Sequence, residues 1–161
     1  MTTLVAASDA DFGWMLGDAC TTGAGGLILA EGGLETPEVL AMLRTLAAKV
    51  RASDGGGAWM IVAEGEVVGL ISYMAAPENA EAVEIGFGIA ESRRGRGFAT
   101  RAVAALVALS RDSGQLRTLT AGTAPWNVAS QKALARAGFE QYGTRMDDDG
   151  SELIEWRLTL K

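Results

Sequence analysis

Apolar and polar residues alternate with the period of a β-strand over residues 82–90. Because successive side chains of a strand point to opposite faces, this alternation places the large apolar ones on a single face. They are Val83, Ile85, Phe87 and Ile89. Other short apolar runs predict five more strands, over residues 59–63, 67–74, 116–121, 139–146 and 152–160. Short glycine-containing turns within the first pair and the last pair of these runs predict two β-hairpins.

Four segments have the spacing or the terminal signals of α-helices, over residues 9–16, 37–52, 98–111 and 125–138. The second begins at Pro37, a residue favoured in the first turn, and the fourth ends at Gly138, a typical C-terminal cap. The apolar stripe predicted for the second helix consists of Val39, Leu40, Leu43, Leu46, Ala47 and Val50. Together these elements predict a mixed α/β fold in one domain, residues 1–161.

Composition excludes several classes of active site. The 161 residues include no histidine and one cysteine, Cys20. A Ser-His-Asp triad, a Cys-His pair and nearly every zinc site are therefore excluded, as is an internal disulfide. We expect Cys20 to be inert and expect no metal. Any acid–base chemistry must come from carboxylates, Tyr, Lys, Ser, water or the substrate itself.

The charged residues are unevenly distributed. The chain has 14 basic and 20 acidic residues, a net charge of −6. Four of the basic residues nevertheless lie within nine positions, namely Arg93, Arg94, Arg96 and Arg101. An acidic body with one small basic site argues against nucleic-acid binding, which requires a basic excess.

The sequence shows no sign of a membrane segment or a leader. The longest apolar run, residues 102–109, is far too short to span a bilayer. The first twelve residues contain two aspartates and no basic residue, unlike a signal peptide. We therefore expect a cytoplasmic protein that does not bind membranes.

The segment 82–101 joins a strand to a helix through Arg-Arg-Gly-Arg-Gly. A helix N-terminus presents unpaired N–H groups and a partial positive charge, and arginine can bind phosphate through two hydrogen bonds. Gly95 and Gly97 allow the backbone to turn tightly beside a ligand. The loop therefore predicts a phosphate or pyrophosphate site. The Walker and dinucleotide patterns do not fit, because no Lys-Ser or Lys-Thr follows the second glycine and Thr100 stands where a third glycine belongs.

Two ordered motifs carry a family resemblance. Residues 94–99, Arg-Gly-Arg-Gly-Phe-Ala, resemble the R/Q-x-x-G-x-G/A signature of the GNAT superfamily of acyl-CoA N-acyltransferases. A second block is similar to the N-x-x-S…L…x-G-F-x block of that superfamily and comprises Asn127-Val128-Ala129-Ser130, Leu134 and Ala137-Gly138-Phe139-Glu140. The residues of these two motifs most resemble those of the branch that acetylates N-terminal amines of ribosomal proteins.

This resemblance covers residues 82–142 and implies a fold as well as a cofactor. The implied fold is the α/β (α+β) GNAT fold, with a single mixed, mostly antiparallel twisted sheet of about six to seven strands flanked by about four helices. The implied acyl donor is acetyl-CoA.

The resemblance also implies where acetyl-CoA binds. In the family, amides of the loop hold the pyrophosphate, a role that falls here to Arg94, Arg96, Gly97, Phe98, Ala99 and Thr100. The strand before the loop pairs its backbone with pantetheine, which corresponds here to Phe87, Gly88 and Ile89. Asn127 is implied to contact the pantetheine arm, and Ser130 to lie near the thioester sulfur. A helix N-cap is the alternative for Asn127, and a passive helix position is the alternative for Ser130.

The implied chemistry is direct attack of an amine on the thioester carbonyl. Glu84 is the candidate base, with Glu81 as a weaker one. The alternatives for Glu84 are an exposed strand carboxylate and one that only attracts the cationic acceptor. Many GNAT enzymes place a tyrosine seven residues after the helix asparagine, where this chain has Leu134. Ser130 is then the candidate proton donor.

The sequence thus predicts an acetyl-CoA-dependent N-acetyltransferase that works through a ternary complex. The predicted acceptor is a primary amine, either a protein N-terminus or a small molecule, and Trp126 is a candidate wall of its entrance. One alternative is another acyl-CoA donor. The other is a non-catalytic acyl-CoA-binding module, which the missing tyrosine keeps open. A homodimer is left open.

Overall fold

The computed structural model describes residues 2–17, 26–52, 57–74, 82–114 and 116–160. Two residues singled out above, Cys20 and Glu81, lie outside these ranges, as does the side chain of Val50. The helices in the described ranges are α1 (Asp9–Met15), α2 (Pro37–Ala52), α3 (Phe98–Ser113) and α4 (Val128–Arg136). The strands in them are β1 (Thr2–Ala6), β2 (Ile28–Leu29), β3 (Ala58–Ala63), β4 (Glu66–Tyr73), β5 (Ala82–Ile89), β6 (Thr118–Thr123), β7 (Glu140–Met146) and β8 (Glu152–Thr159).

The strands form one sheet in the order β1-β3-β4-β5-β6-β8-β7, with β2 paired to β4 beside this path. Neighbours are antiparallel except β2 with β4 and β5 with β6. The mixed, mostly antiparallel sheet and the four helices are therefore confirmed. Because β5 and β6 are parallel neighbours, the chain needs a crossover to pass from one to the other, and α3 provides it. The resulting order of β5, α3, β6 and α4 is GNAT-like.

Two strands were not predicted, and one was displaced. The short β1 lies at the edge of the sheet and has five residues, none of them buried, and β2 has only two residues. The strand predicted over 116–121 is observed at Thr118–Thr123. Leu116 is buried just ahead of it, so an apolar residue of the core was mistaken for the first residue of the strand.

The sheet is covered on both faces. One core cluster joins α3 and α4 to the sheet and includes Leu106, Leu119 and Leu134. The other lies on the side of α1 and α2 and includes Phe12 and Leu40. In β3 alternate side chains enter the two clusters, which is why all six of its residues are buried and its sequence is continuously apolar.

Local signals start α1 and α2 where the sequence predicts, whereas α4 begins at Val128, three residues later than predicted. Ser8 and Asp11 form a reciprocal capping box at α1. At α2 the Thr36 hydroxyl accepts a hydrogen bond of 3.3 Å from the Val39 amide, and Pro37 occupies the first turn. The hairpin turn between β3 and β4 is also as predicted, with positive φ at Glu64 and at the following glycine.

We expect the core under α3 to carry much of the stability. Leu106 is fully buried, whereas Leu109 on the same helix is 40% exposed. Leu106→Ala should lower the free energy of unfolding by about 2–5 kcal/mol, because it removes the free energy gained by burying the leucine side chain and leaves a cavity in the core. Leu109→Ala is the matched control and should change it by about 0.5 kcal/mol. Urea denaturation measures both, and equal losses would contradict the assignment of this core.

Candidate functional site

A cavity of about 580 Å³ lies at the edge of the sheet where β5 ends. It brings together the end of β5, the loop that follows, the first turn of α3 and the start of α4. The lining residues are Glu35, Phe87, Gly88, Ile89, Arg93, Arg94, Gly95, Gly97, Phe98, Ala99, Thr100, Trp126, Asn127, Ala129, Ser130, Lys132 and Arg136. All the predicted cofactor-binding residues except Arg96 are in this set.

The cavity exists because β5 and β6 diverge. Their parallel pairing runs from Ala82↔Thr118 to Glu84↔Thr120 and goes no further, although β5 continues to Ile89. Beyond Glu84, β5 stays paired with β4, and β6 stays paired with β8. The β6 side of β5 is therefore without a partner strand over its last residues, within the described chain. A backbone edge of this kind can pair with an extended ligand.

The first turn of α3 supplies backbone donors to the same cavity. Gly97 caps the helix in the left-handed conformation, with φ of 80°, and no side chain caps it. The first intrahelical bond runs from the Arg101 amide to the Gly97 carbonyl, at 3.1 Å. The preceding amides, of Phe98, Ala99 and Thr100, therefore have no acceptor within the helix, and all three residues line the cavity. Together with the helix dipole they can bind an anion.

Two of the four clustered arginines have structural partners. Arg93 donates two hydrogen bonds to the Glu66 carboxylate, at 2.5 and 3.1 Å. This contact lowers the pKa of Glu66 below its ordinary value, against a smaller opposing effect of burial. Arg101 donates to the Thr2 hydroxyl at 2.9 Å and to the Arg96 carbonyl at 2.9 Å. These contacts hold the loop to β4 and β1.

The other two clustered arginines face different cavities. Arg94 lines the cavity beside β5, and its Nε donates to the Ile89 carbonyl at 3.2 Å. Arg96 instead lines a second cavity of about 750 Å³, together with Thr2, Glu64, Arg93 and Arg101. The two arginines, although two positions apart in the chain, therefore line different cavities.

Asn127 and Ser130 start α4 at the cavity wall. The Asn127 Oδ1 accepts a hydrogen bond of 3.2 Å from the Ser130 amide, so Asn127 caps the helix and lines the cavity at once. Leu134, where the family often has tyrosine, is fully buried in the core. Neither Tyr73 nor Tyr142 lines the cavity. Of these two, Tyr73 is buried against Ser110, with 2.7 Å between the hydroxyl oxygens, and burial raises its pKa.

Glu84, the candidate base, is held in an ion pair. Its carboxylate is bound by Arg145 of β7, and it does not line the cavity. Arg145 reaches it across β8 and β6 and passes close to Gly122, where an added Cβ would lie 3.2 Å from the guanidinium. Arg145 also lies 3.5 Å from Glu155, and its pKa is raised, chiefly by the hydrogen bond to Glu84.

Three charged residues of the cavity were missed in the sequence. Lys132 and Arg136 stand one turn apart on α4, on the face that also carries Ala129, so helical spacing could have found them. Glu35 belongs to the segment between β2 and α2, which carries no motif. Trp126 does line the cavity, and its side chain is 81% exposed.

The described residues show neither a metal-binding cluster nor a membrane-spanning helix. They contain no group of three or more His, Cys, Asp or Glu arranged to hold a metal ion. Within the same ranges, none of the helices combines the length and the apolar character needed to cross a membrane.

Comparison with known proteins gives a consistent family. A sequence model described as an acetyltransferase (GNAT) domain matches residues 33–140. A Bacillus subtilis (strain 168) protein described as the uncharacterized N-acetyltransferase YjdG is 31% identical over 106 residues. That match covers 63% of this chain and 62% of the relative, so the chain spans less than two thirds of the relative's length.

Solved structures show the same fold. AAC(6')-Ib in complex with paromomycin and acetyl-CoA has a TM-score of 0.70 at 18% identity, covering 98% of this chain and 93% of that one. RimL, a ribosomal L7/L12 alpha-N-protein acetyltransferase, has a TM-score of 0.63 at 20% identity, covering 78% and 72%. At these identities the likeness concerns the fold alone.

The ion pair between Arg93 and Glu66 should make stability depend on pH. The pKa of Glu66 is lowered from 4.5, so the pair stabilises the folded chain above that pH and loses its effect as the pH falls through the lower, folded-state pKa. Glu66→Gln removes this charge. We expect the wild type to melt at a higher temperature than the variant near neutral pH, and the difference to shrink as the pH falls below 4.5. A difference that stays constant in acid would contradict this role.

Proposed function

Because this chain belongs to the GNAT acetyltransferase family, we propose that it transfers an acetyl group from acetyl-CoA to a primary amine by direct attack in a ternary complex. The observation that carries the proposal is the cavity in which the open edge of β5 meets the unpaired amides of α3. Acetyl-CoA has an extended pantetheine arm, which suits the open strand edge, and a pyrophosphate, which suits the unpaired amides beside it. We further propose that residues 1–161 act as one domain.

The proposed pose of acetyl-CoA follows the cavity. Its pantetheine arm pairs with the backbone of Phe87, Gly88 and Ile89, in the place that β6 leaves. Its pyrophosphate accepts hydrogen bonds from the first-turn amides of α3, with Arg94 beside it. Lys132 and Arg136 add positive charge from the facing helix, which suits the remaining phosphate. Asn127 and Ser130 adjoin the arm at the start of α4.

In the proposed reaction the amine nitrogen attacks the thioester carbonyl. A C–N bond forms, the C–S bond breaks, and the CoA thiolate leaves and takes up a proton. Ser130 is the proposed donor of that proton, since Leu134 cannot provide one, and its hydroxyl regains a proton from water. The chain contributes mainly by holding donor and acceptor in contact. Bringing two reactants together accounts for a large part of the activation barrier in such reactions.

We propose that water, rather than Glu84, takes the proton from the amine. Glu84 would first have to leave Arg145, and it does not line the cavity. A general base typically contributes about 10²–10⁴-fold to the rate. Glu84→Gln should therefore lower kcat far less than this, about threefold or less by that standard. Initial rates over a range of pH check it, and a loss of a hundredfold that follows a carboxylate titration would restore Glu84 as the base.

The acceptor class is proposed from charge and from the neighbours. An aminoglycoside is bound in the AAC(6')-Ib structure, and RimL is described as acting on a ribosomal protein, so both small and protein amines occur among proteins of this fold. The net charge of −6 favours a cationic acceptor through long-range attraction.

A second candidate function is acyl-CoA binding without catalysis. The buried Leu134 favours it, because no tyrosine hydroxyl reaches the cavity to protonate the thiolate. Release of free thiol from acetyl-CoA, measured with a panel of peptides and small amines, separates the two functions. Amine-dependent release supports transfer, and tight binding without release supports the binding module.

Acetyl-CoA affinity tests the site itself. Arg94→Ala should weaken binding about tenfold, the effect of one charge-assisted hydrogen bond to phosphate. Gly97→Pro should weaken it further, since proline fixes φ near −65° where Gly97 needs 80°. Isothermal titration gives the dissociation constants.

Arg117→Ala is the matched control, because Arg117 is an exposed arginine that does not line the cavity. It should bind acetyl-CoA as the wild type does. If Arg94→Ala and Gly97→Pro also bind acetyl-CoA as the wild type does, or if the wild type does not bind it, the proposed site is wrong.

A further inference from the structure

We propose that the Glu35 carboxylate binds the acceptor amine in its protonated form, which makes a cationic amine the substrate class. This inference rests on the proposed function, since it assigns the second substrate a place beside acetyl-CoA. It concerns binding and alignment of the acceptor, whose ammonium group gives up a proton to water before its nitrogen attacks the thioester.

Glu35 reaches the cavity from the opposite layer of the molecule. It lies just ahead of α2, which covers the face of the sheet away from α3 and α4. Its Oε1 is 2.6 Å from the point that a Cβ on Gly88 would occupy. A larger residue at position 88 would displace the carboxylate from this position against β5. Glu35 therefore adjoins the part of β5 that we assign to the pantetheine arm.

Glu35 differs in the sign of its charge from the other charged residues that line the cavity. Glu35 is the one carboxylate among the described lining residues, against four cations. The cations are Arg93, Arg94, Lys132 and Arg136, on the loop and on α4. Gly88 precedes Arg94 by six positions, so the carboxylate stands beside the strand, upstream of the phosphate-binding loop. A negative charge there suits a cationic second substrate.

Glu35 also differs from the two other carboxylates described near β5. Glu66 is bound by Arg93 and Glu84 by Arg145. Within the described ranges, no hydrogen bond or ion pair involves the Glu35 side chain. A carboxylate that is not neutralised attracts an ammonium group and can accept a charge-assisted hydrogen bond from it.

The test uses two CoA thioethers of nearly equal shape. S-(2-aminoethyl)-CoA carries an ammonium group just beyond the sulfur, and S-propyl-CoA carries a methyl group there. We expect the wild type to bind the ammonium thioether about tenfold more tightly, the scale of one charge-assisted hydrogen bond. Glu35→Gln should abolish this preference while leaving the dissociation constant of acetyl-CoA within about twofold, since the phosphates lie elsewhere. Added salt should reduce the preference of the wild type.

Glu38→Gln is the matched control, because Glu38 is an exposed glutamate one turn later that does not line the cavity. It should keep the wild-type preference. Equal affinity of the wild type for the two thioethers, or an unchanged preference in Glu35→Gln, would overturn the role of Glu35 and leave the cofactor site intact. Failure of the wild type to bind acetyl-CoA or either thioether would instead overturn the proposed function.

Discussion

The divergence of β5 and β6 is the constraint on which the rest of the site depends. Two parallel strands carry their following helices to the same edge of the sheet, so the N-termini of α3 and α4 meet there. Had the strands stayed paired to their ends, the helices would still meet, but the edge of β5 would be closed by β6. Because pairing stops after Glu84, backbone donors and acceptors remain available beside two helix N-termini.

An ion pair marks the point where the strands part. Glu84 is the last residue of β5 that pairs with β6, and Arg145 reaches it from β7 over the bare backbone of Gly122. Both side chains are partly exposed, so the contact is worth about 1 kcal/mol or less. Its position matters more than its strength. The ion pair connects β5 directly to the β7–β8 hairpin, which lies on the other side of the point where β5 and β6 diverge.

Much of the fold and half of the site could be predicted because they depend on local signals. The alternation in β5, the glycines before α3 and the Pro37 and Gly138 helix ends all act within a few residues. The partners of Glu84 and Glu66 could not be predicted, since Arg145 and Arg93 lie far away in sequence. Glu35 was missed for the same reason, because only the packing of two layers brings it to β5.

The contacts of Arg101 tie the loop before α3 to a residue 99 positions away, at the start of β1. The same guanidinium holds the Arg96 carbonyl and stacks over Phe98, 5.2 Å from the ring centre. The loop is thus braced by the edge strand, and its conformation depends on how that strand is docked. Residues or tags added ahead of Thr2 would alter the conformation of the loop, even though they are remote from it in the chain.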